Sequence, residues 1–372
     1  MITKLKRTAA LLSSLCMIFF CAAETKAVDV SAQASVLIEA ESGDIIYEKN
    51  AHQRLPMAST TKIMTAVVAL ENGDLTKEVS VSPNACGVEG SSIYLSENEK
   101  LTLEELLYAM LLESANDAAA AIAYEIAGGI EEFACLMNDT AEKLGLEDTH
   151  FTNPHGLDNE NHYTTAADLA KLTAYALKNE KFREIVSTYK HQIPLRGDEG
   201  IRVLLNHNKL LKLSDDAIGV KTGFTKKSGR CLVSAAERDG VCVIAVTLNA
   251  PDDWNDHLAL YELGFSIYKS VCLADKGQFS VQIPCTGAEN GFITAANSDE
   301  LRLCLKNGDE ITHTIEAERM LFAPVEEGDD VGRVVFRMGG KVIGEVALYS
   351  TQTVNEIADE RSMGEKILDF IK

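Results

Sequence analysis

Ser59 and Lys62 stand three residues apart in the run Ser59-Thr60-Thr61-Lys62. On a helix that spacing puts both side chains on one face. A serine hydroxyl is a poor nucleophile at neutral pH and needs a base within hydrogen-bond reach. Lysine serves as that base only when neutral, so burial or a neighbouring cation must lower its pKa. Two further words follow in order, Ser114-Ala115-Asn116 and Lys221-Thr222-Gly223. Lys221 can be the neighbouring cation. Together the three words supply a nucleophile, its base, a proton relay and an anion holder. Each alone is a common coincidence: Ser-x-x-Lys also reads as a helix cap with a surface lysine, and Lys-Thr-Gly as a strand-end turn. Their order and settings together point to a serine acyl-enzyme.

The flanking elements set those residues in place. Ile63, Met64, Val67, Val68 and Leu70 recur at helical spacing after Ser59, and Gly73 stops the run. That predicts a buried central helix with Ser59 at its start, where free N–H groups and the positive dipole end favour an oxyanion. Thr102 and Glu105 form a capping box ahead of Leu103, Leu106, Leu107, Met110 and Leu111. Ser114 and Asn116 then fall in a tight connection before the alanine-rich run Ala118 to Ala127. Phe151 to Leu157 reads as a loop, and Thr165 with Asp168 caps a helix through Leu177. Ser35 to Glu48 reads as a two-strand hairpin. Lys221-Thr222-Gly223 leads into strands Arg230–Ala235 and Val241–Leu248, joined by Asp239-Gly240, and Trp254–Tyr268 reads as a closing helix. Helices packed on one antiparallel sheet give an α/β catalytic domain over 28–268. From 271 to 353 short alternating segments predict a small all-β domain, with Gly339-Gly340 joining the last two strands.

The words and their neighbours carry a resemblance. Pro56-Met57-Ala58-Ser59-Thr60-Thr61-Lys62-Ile63-Met64-Thr65, Ser114-Ala115-Asn116-Asp117-Ala118-Ala119, Asn153-Pro154-His155-Gly156-Leu157 and Val220-Lys221-Thr222-Gly223-Phe224-Thr225 resemble low-molecular-mass penicillin-binding proteins of the D-alanyl-D-alanine carboxypeptidase kind. The resemblance implies a β-lactamase/penicillin-binding-protein-like fold and cleavage of the terminal D-alanine from peptidoglycan stem pentapeptides. It implies Ser59 as nucleophile, Lys62 as its base, and Ser114 with Lys221 as the relay to the leaving D-alanine. Asn116 would bind the substrate backbone, and Lys221 and Thr222 the terminal carboxylate. Gly223 belongs to the same substrate-binding strand. The N–H groups of Ser59 and Phe224 would form an oxyanion hole. β-Lactams would acylate Ser59, and no cofactor or metal is called for. The middle word has Ala115 where related proteins often have aspartate. Phe224 stands where some have histidine, and Asn249-Ala250-Pro251-Asp252-Asp253-Trp254 lacks the arginine that some use for the carboxylate. His155 and His162 are expected to be structural, since the lysine–serine scheme already moves the proton.

Other readings remain. A β-lactamase needs rapid deacylation, and no Glu-x-x-Leu-Asn word is present to hold a deacylating water. A penicillin-binding sensor or structural wall protein with a dead site is disfavoured by the intact Ser59, Lys62 and Lys221. The net charge of −21 over 372 residues makes nucleic acid an unsuitable partner. It also requires a local cation to catch any anionic substrate.

Residues 1–23 read as an export signal, with Lys4, Lys6 and Arg7 ahead of the apolar run Ala9–Phe20 and cleavage sites up to 27. That run is shorter than the ~20 residues of a spanning helix. The expected location is therefore extracytoplasmic, in the wall or on the outer face of the membrane. Residues 354–372 form a weakly amphipathic tail that docks on its own protein or makes peripheral membrane contact; Glu356, Asp359, Glu360, Glu365 and Asp369 disfavour anionic lipid. Seven cysteines follow the signal segment, scattered and without a Cys-x-x-Cys pair, and read as buried free thiols. A turn at Asp239-Gly240 sets Cys231 opposite Leu248 and Cys242 opposite Glu237, so those two thiols do not face each other.

Overall fold

The computed structural model describes residues 28–195 and 200–355. The expected signal segment and most of the tail lie outside them. A five-stranded antiparallel sheet organises the first part, in the order Ile45–Lys49, Ala34–Glu39, Val241–Leu248, Gly229–Arg238, Ala217–Thr225. Lys221 therefore lies on an outer strand. An outer strand keeps one row of backbone groups free to pair with an extended peptide.

One face of the sheet is covered by helices. Helix α1 (Lys62–Asn72) is buried along its first eight residues, Lys62 to Ala69. Helices α2 (Leu103–Leu112) and α3 (Asn116–Ala127) pack beside it. A helix that is apolar on nearly every side belongs inside, and Ala118 to Ala121 with Ala123 are small enough to let α3 approach its neighbours closely. The Thr102 capping box forms as expected: Thr102 Oγ1 accepts from Glu105 N at 3.2 Å, and Glu105 Oε2 accepts from Thr102 N at 2.7 Å. The other face carries the closing helix Asp253–Ile267, packed on Leu37, Leu232 and Val243. Within that layer His257 bridges the Ser234 hydroxyl and Thr247 Oγ1, and Tyr261 donates to the same Ser234 oxygen.

The strand Tyr268–Ala274 follows the closing helix directly and pairs with Leu301–Lys306. Beyond it a six-stranded sheet has its own core of Ile283, Ile293, Val334, Phe336 and Leu348. The two parts meet at the turn of the first hairpin, where Asp44 pairs with Lys306 Nζ at 2.8 Å and accepts from Tyr268 Oη at 2.9 Å. The α/β sandwich followed by an all-β unit matches the expected fold class.

Several details depart from the sequence reading. The hairpin Lys190–Leu195 with Gly200–Leu205 and the helix Ile130–Lys143 went unread. Ser59 lies in a 3-10 turn, Ala58–Thr61, and α1 proper begins at Lys62. The seven cysteines are free, but only Cys231 and Cys285 are buried and Cys135 is exposed. The Asp239-Gly240 hairpin does keep the expected register, with Cys242 opposite Glu237.

Three buried histidines make the fold sensitive to acid. Burial lowers His257 to about 3, His155 to about 3 and His162 to about 4. Each takes up a proton near 6.5 when unfolded but refuses it when folded. Stability is therefore complete above pH 6.5 and falls as pH drops toward 4. Between pH 6.5 and 5 each histidine costs about 2 kcal/mol. Melting temperature should fall steadily across that interval, and His257→Gln should flatten the slope; an unchanged slope would contradict this assignment.

Candidate active site

The three words converge on one cleft between the helical block and the outer strand. Ser59 is brought there by the 3-10 turn, whose hydroxyls fix its own backbone. Thr60 Oγ1 donates to Met57 O at 2.6 Å, and Thr61 Oγ1 donates to Ala58 O at 2.7 Å. His162 completes that chain. Its Nδ1 accepts from Thr152 N at 3.0 Å, so its neutral ring carries the proton on Nε2 and donates to Thr61 Oγ1 at 2.7 Å. The N–H of Ser59 precedes the first bond of the turn, Thr60 N to Met57 O, so it is one of the orphan donors of a helical start. Gly223 of the third word comes close to it: a Cβ there would stand 3.0 Å from Ser59 N.

Lys62 is wholly buried, and its Nζ meets three oxygens. It lies 2.7 Å from Asn116 Oδ1, 2.7 Å from the His155 carbonyl and 3.1 Å from Ser59 Oγ. The first two oxygens can only accept. A neutral amine has two hydrogens and one lone pair. With both hydrogens taken by the carbonyls, the lone pair is left for the Ser59 hydroxyl. Burial first, then the Lys221 charge, holds Lys62 well below the ordinary lysine range. Burial and the Lys221 charge thus make the base neutral, and the two fixed acceptors aim its lone pair.

Asn116 opens α3 and is nearly buried. Beyond Lys62, its Nδ2 donates to Glu89 O at 2.6 Å, and its backbone N–H donates to Ser91 O at 2.7 Å. The side chain expected to bind substrate is therefore first a brace for Lys62, with one amide hydrogen to spare. Ser114 is buried with φ +59°, and among the described residues its hydroxyl has no hydrogen-bond partner. Lys221 is also buried, and burial lowers it to about 7. Its Nζ donates to Thr222 O at 2.9 Å, so the expected Ser114–Lys221 contact is not made in this state. Thr222 and Gly223 are half-buried and Phe224 is exposed.

Three supporting groups, Asp117, Asn153 and Gly156, were given no role from the sequence. Asp117 is buried at the first turn of α3 and accepts from Ser92 Oγ, Leu95 N and Ala118 N, tying the 89–95 loop to the site. An acid following the helix cap was the available signal. Asn153 Oδ1 accepts from Gly156 N at 2.7 Å and shapes the loop that offers the His155 carbonyl to Lys62 and the Pro154 carbonyl to Thr65. Gly156 has φ +91°, and a Cβ there would lie 1.9 Å from Ala58 O. His155 and His162, both driven neutral, are structural as expected. Each word also contains or directly follows one non-glycine residue at positive φ: Ala58 at +48°, Ser114 at +59° and Val220 at +95°. Such conformations cost of order 1–3 kcal/mol each. Among the described residues no cluster of histidine, cysteine, aspartate and glutamate is arranged to hold a metal ion.

This fold and this serine–lysine–serine arrangement define a penicillin-binding serine hydrolase. Residues 21–252 match the D-alanyl-D-alanine carboxypeptidase family and residues 268–356 match the penicillin-binding protein 5 C-terminal domain, so the chain belongs to that carboxypeptidase family. It is 32% identical over 325 residues to D-alanyl-D-alanine carboxypeptidase DacF of Bacillus subtilis, covering 84% of this chain and 83% of that protein. It is 30% identical to DacC of Escherichia coli, covering 91% of this chain and 88% of that protein. The crystal structure of the carboxypeptidase DacD from Francisella tularensis superposes with a TM-score of 0.63 at 27% identity, covering 89% of this chain and 95% of that chain.

The Gly156 approach gives a direct test. Gly156→Ala would force the 153–157 loop away from Ala58 and move the His155 carbonyl off Lys62. A displacement of about 1 Å is expected to slow acylation of Ser59 by about 100-fold. Labelling by a fluorescent penicillin, followed over time, measures that rate.

Proposed function

We propose that this chain is a serine-type D-Ala-D-Ala carboxypeptidase that removes the terminal D-alanine from peptidoglycan stem pentapeptides. The observation that carries the reading is the Lys62 amine, pinned by two carbonyl oxygens with its lone pair left for Ser59 Oγ. Lys62 takes the hydroxyl proton as Ser59 attacks the carbonyl between the two D-alanines. The Ser59 N–H and the Phe224 N–H stabilise the oxyanion. Ser114, whose hydroxyl has no hydrogen-bond partner among the described residues, relays that proton from Lys62 to the leaving D-alanine nitrogen, and a small turn of the Lys221 ammonium away from Thr222 O completes the relay. Asn116 keeps one amide hydrogen for the peptide, and Thr222 with Lys221 meets the carboxylate. The substrate lies along the outer strand, with Gly223 letting it approach Ser59. Water then releases the shortened peptide.

β-Lactams enter the same cleft and acylate Ser59. The substrate is a wall polymer, which agrees with the export signal read at residues 1–23 and with an extracytoplasmic site of action. Among the described residues no helix is long and apolar enough to cross a membrane. Any membrane contact would fall to the tail, through its apolar residues.

The test is D-alanine release from a stem pentapeptide ending in D-Ala-D-Ala. The mature protein should release it, and Ser59→Ala should abolish both release and penicillin labelling. Lys62→Met should lower acylation by roughly 10²- to 10⁴-fold while leaving the melting temperature unchanged or raised, since a buried amine is replaced by an apolar chain. Release that survives Ser59→Ala would sink the reading.

A further inference from the structure

Asp117 follows Asn116 directly and is wholly buried. A buried carboxylate is costly unless donors surround it. Four do so here. Ser92 Oγ donates to its Oδ2 at 2.6 Å, and Leu95 N donates to the same oxygen at 2.9 Å. Ile93 N donates to Oδ1 at 3.3 Å, and Ala118 N donates to Oδ1 at 3.0 Å. Ala118 N is one of the orphan donors of the first turn of α3. The other three donors all belong to the 92–95 segment.

That segment continues the stretch of chain that holds Asn116. Glu89 O takes an amide hydrogen of Asn116 at 2.6 Å, and Ser91 O takes its backbone N–H at 2.7 Å. Gly90, between them, has φ +96°, and a Cβ there would lie 2.8 Å from Asn116 Nδ2. The loop is thus packed tight against Asn116, whose Oδ1 takes a hydrogen from Lys62 Nζ. A continuous chain of bonds runs from the Asp117 carboxylate through the loop carbonyls and the Asn116 amide to the base.

The carboxylate also reaches the base through space. Of the charges acting on Lys62, Lys221 disfavours its ammonium form and Asp117 favours it. His155, on the loop that meets the amine, is kept neutral by burial. Cys86, Glu97 and Glu99 neighbour Asp117 on the adjoining loop, and Glu99 is paired with Arg202 at 3.0 Å. Lys221 is lowered to about 7 by burial alone. Asp117 therefore bears on one lysine of the site and not on the other.

We propose that Asp117 is the positioning residue of the base: it fixes the 89–95 loop on Asn116, which aims the Lys62 lone pair, and its charge sets the pH at which that pair becomes free. The proposal rests on the serine–lysine acylation of the carboxypeptidase reading.

The rate at which a fluorescent penicillin acylates Ser59, followed from about pH 5 to about pH 9, tests it. The wild-type profile should be a bell, rising as Lys62 becomes neutral and falling as Lys221 loses its charge. Asp117→Asn keeps the shape of the side chain and removes its charge. It should move the acid limb down by roughly one pH unit, the scale of one charge acting through a protein interior. The alkaline limb should stay in place, and the plateau should fall about 10- to 100-fold as Asn116 loosens. Ser92→Ala keeps the charge and removes one donor. Its plateau should fall roughly 5- to 10-fold with both limbs unmoved, and it decides the matter if Asp117→Asn does not fold. A merely structural carboxylate would lower the melting temperature without moving the acid limb. An acid limb that stays in place in Asp117→Asn, or a plateau unchanged in Ser92→Ala, overturns the proposal. A wild-type protein that is not labelled at Ser59 overturns the acylation reading itself.

Discussion

Everything in the site follows from keeping one amine both buried and neutral. A lysine inside a protein loses the hydration that stabilises its charge, and among the described residues no carboxylate is bonded to Lys62 Nζ to restore it. Its partners are two carbonyl oxygens and a hydroxyl. The carbonyls decide where the two hydrogens point, and so decide where the lone pair points. Moving either acceptor would leave the amine buried but aimed elsewhere. Asn116 and the His155 loop are therefore part of the base, although neither exchanges a proton.

That requirement explains how much of the helical block is devoted to support. Asn116 is tied to Glu89 and Ser91, and its neighbour Asp117 collects the loop that contains them. The His155 carbonyl is set by Asn153, and the turn bearing Ser59 is set by Thr60, Thr61 and His162. Histidines 155 and 162 are kept neutral by burial, so they add no second cation near the amine. The sheet contributes from the other side, with Gly223 and Lys221 on an outer strand. Helix, loop and strand each hold one part of the constellation, and a shift of any one separates the parts.

The sequence was a good guide wherever a local rule was strong. The Thr102–Glu105 capping box, the Asp239-Gly240 hairpin with its register, and the closing helix are set by residues close together in the chain. That Lys62 meets Ser59 and Asn116, and that Gly223 lies against the Ser59 turn, agrees with the three short words read together. What escaped was long-range. Glu89 and His155 serve through backbone carbonyls, which any residue type could supply, so their identity carries no signal. The hairpin Lys190–Leu195 with Gly200–Leu205 was missed because its strands lean on helix α2 and not on a sheet.

The left-handed backbone at Ala58, Ser114 and Val220 has a consequence for how such a protein can change. Each is a side-chain-bearing residue where glycine would relax the chain, and each adjoins or is a member of a reacting word. Relaxing all three would release several kcal/mol of strain, yet it would also loosen the positions of Ser59, the relay hydroxyl and Lys221. Selection for heat tolerance and selection for turnover therefore pull in opposite directions at these three points. A lineage adapting to higher temperature would be expected to gain its stability in the distant all-β unit or at the surface, and to leave these three twisted peptides as they are.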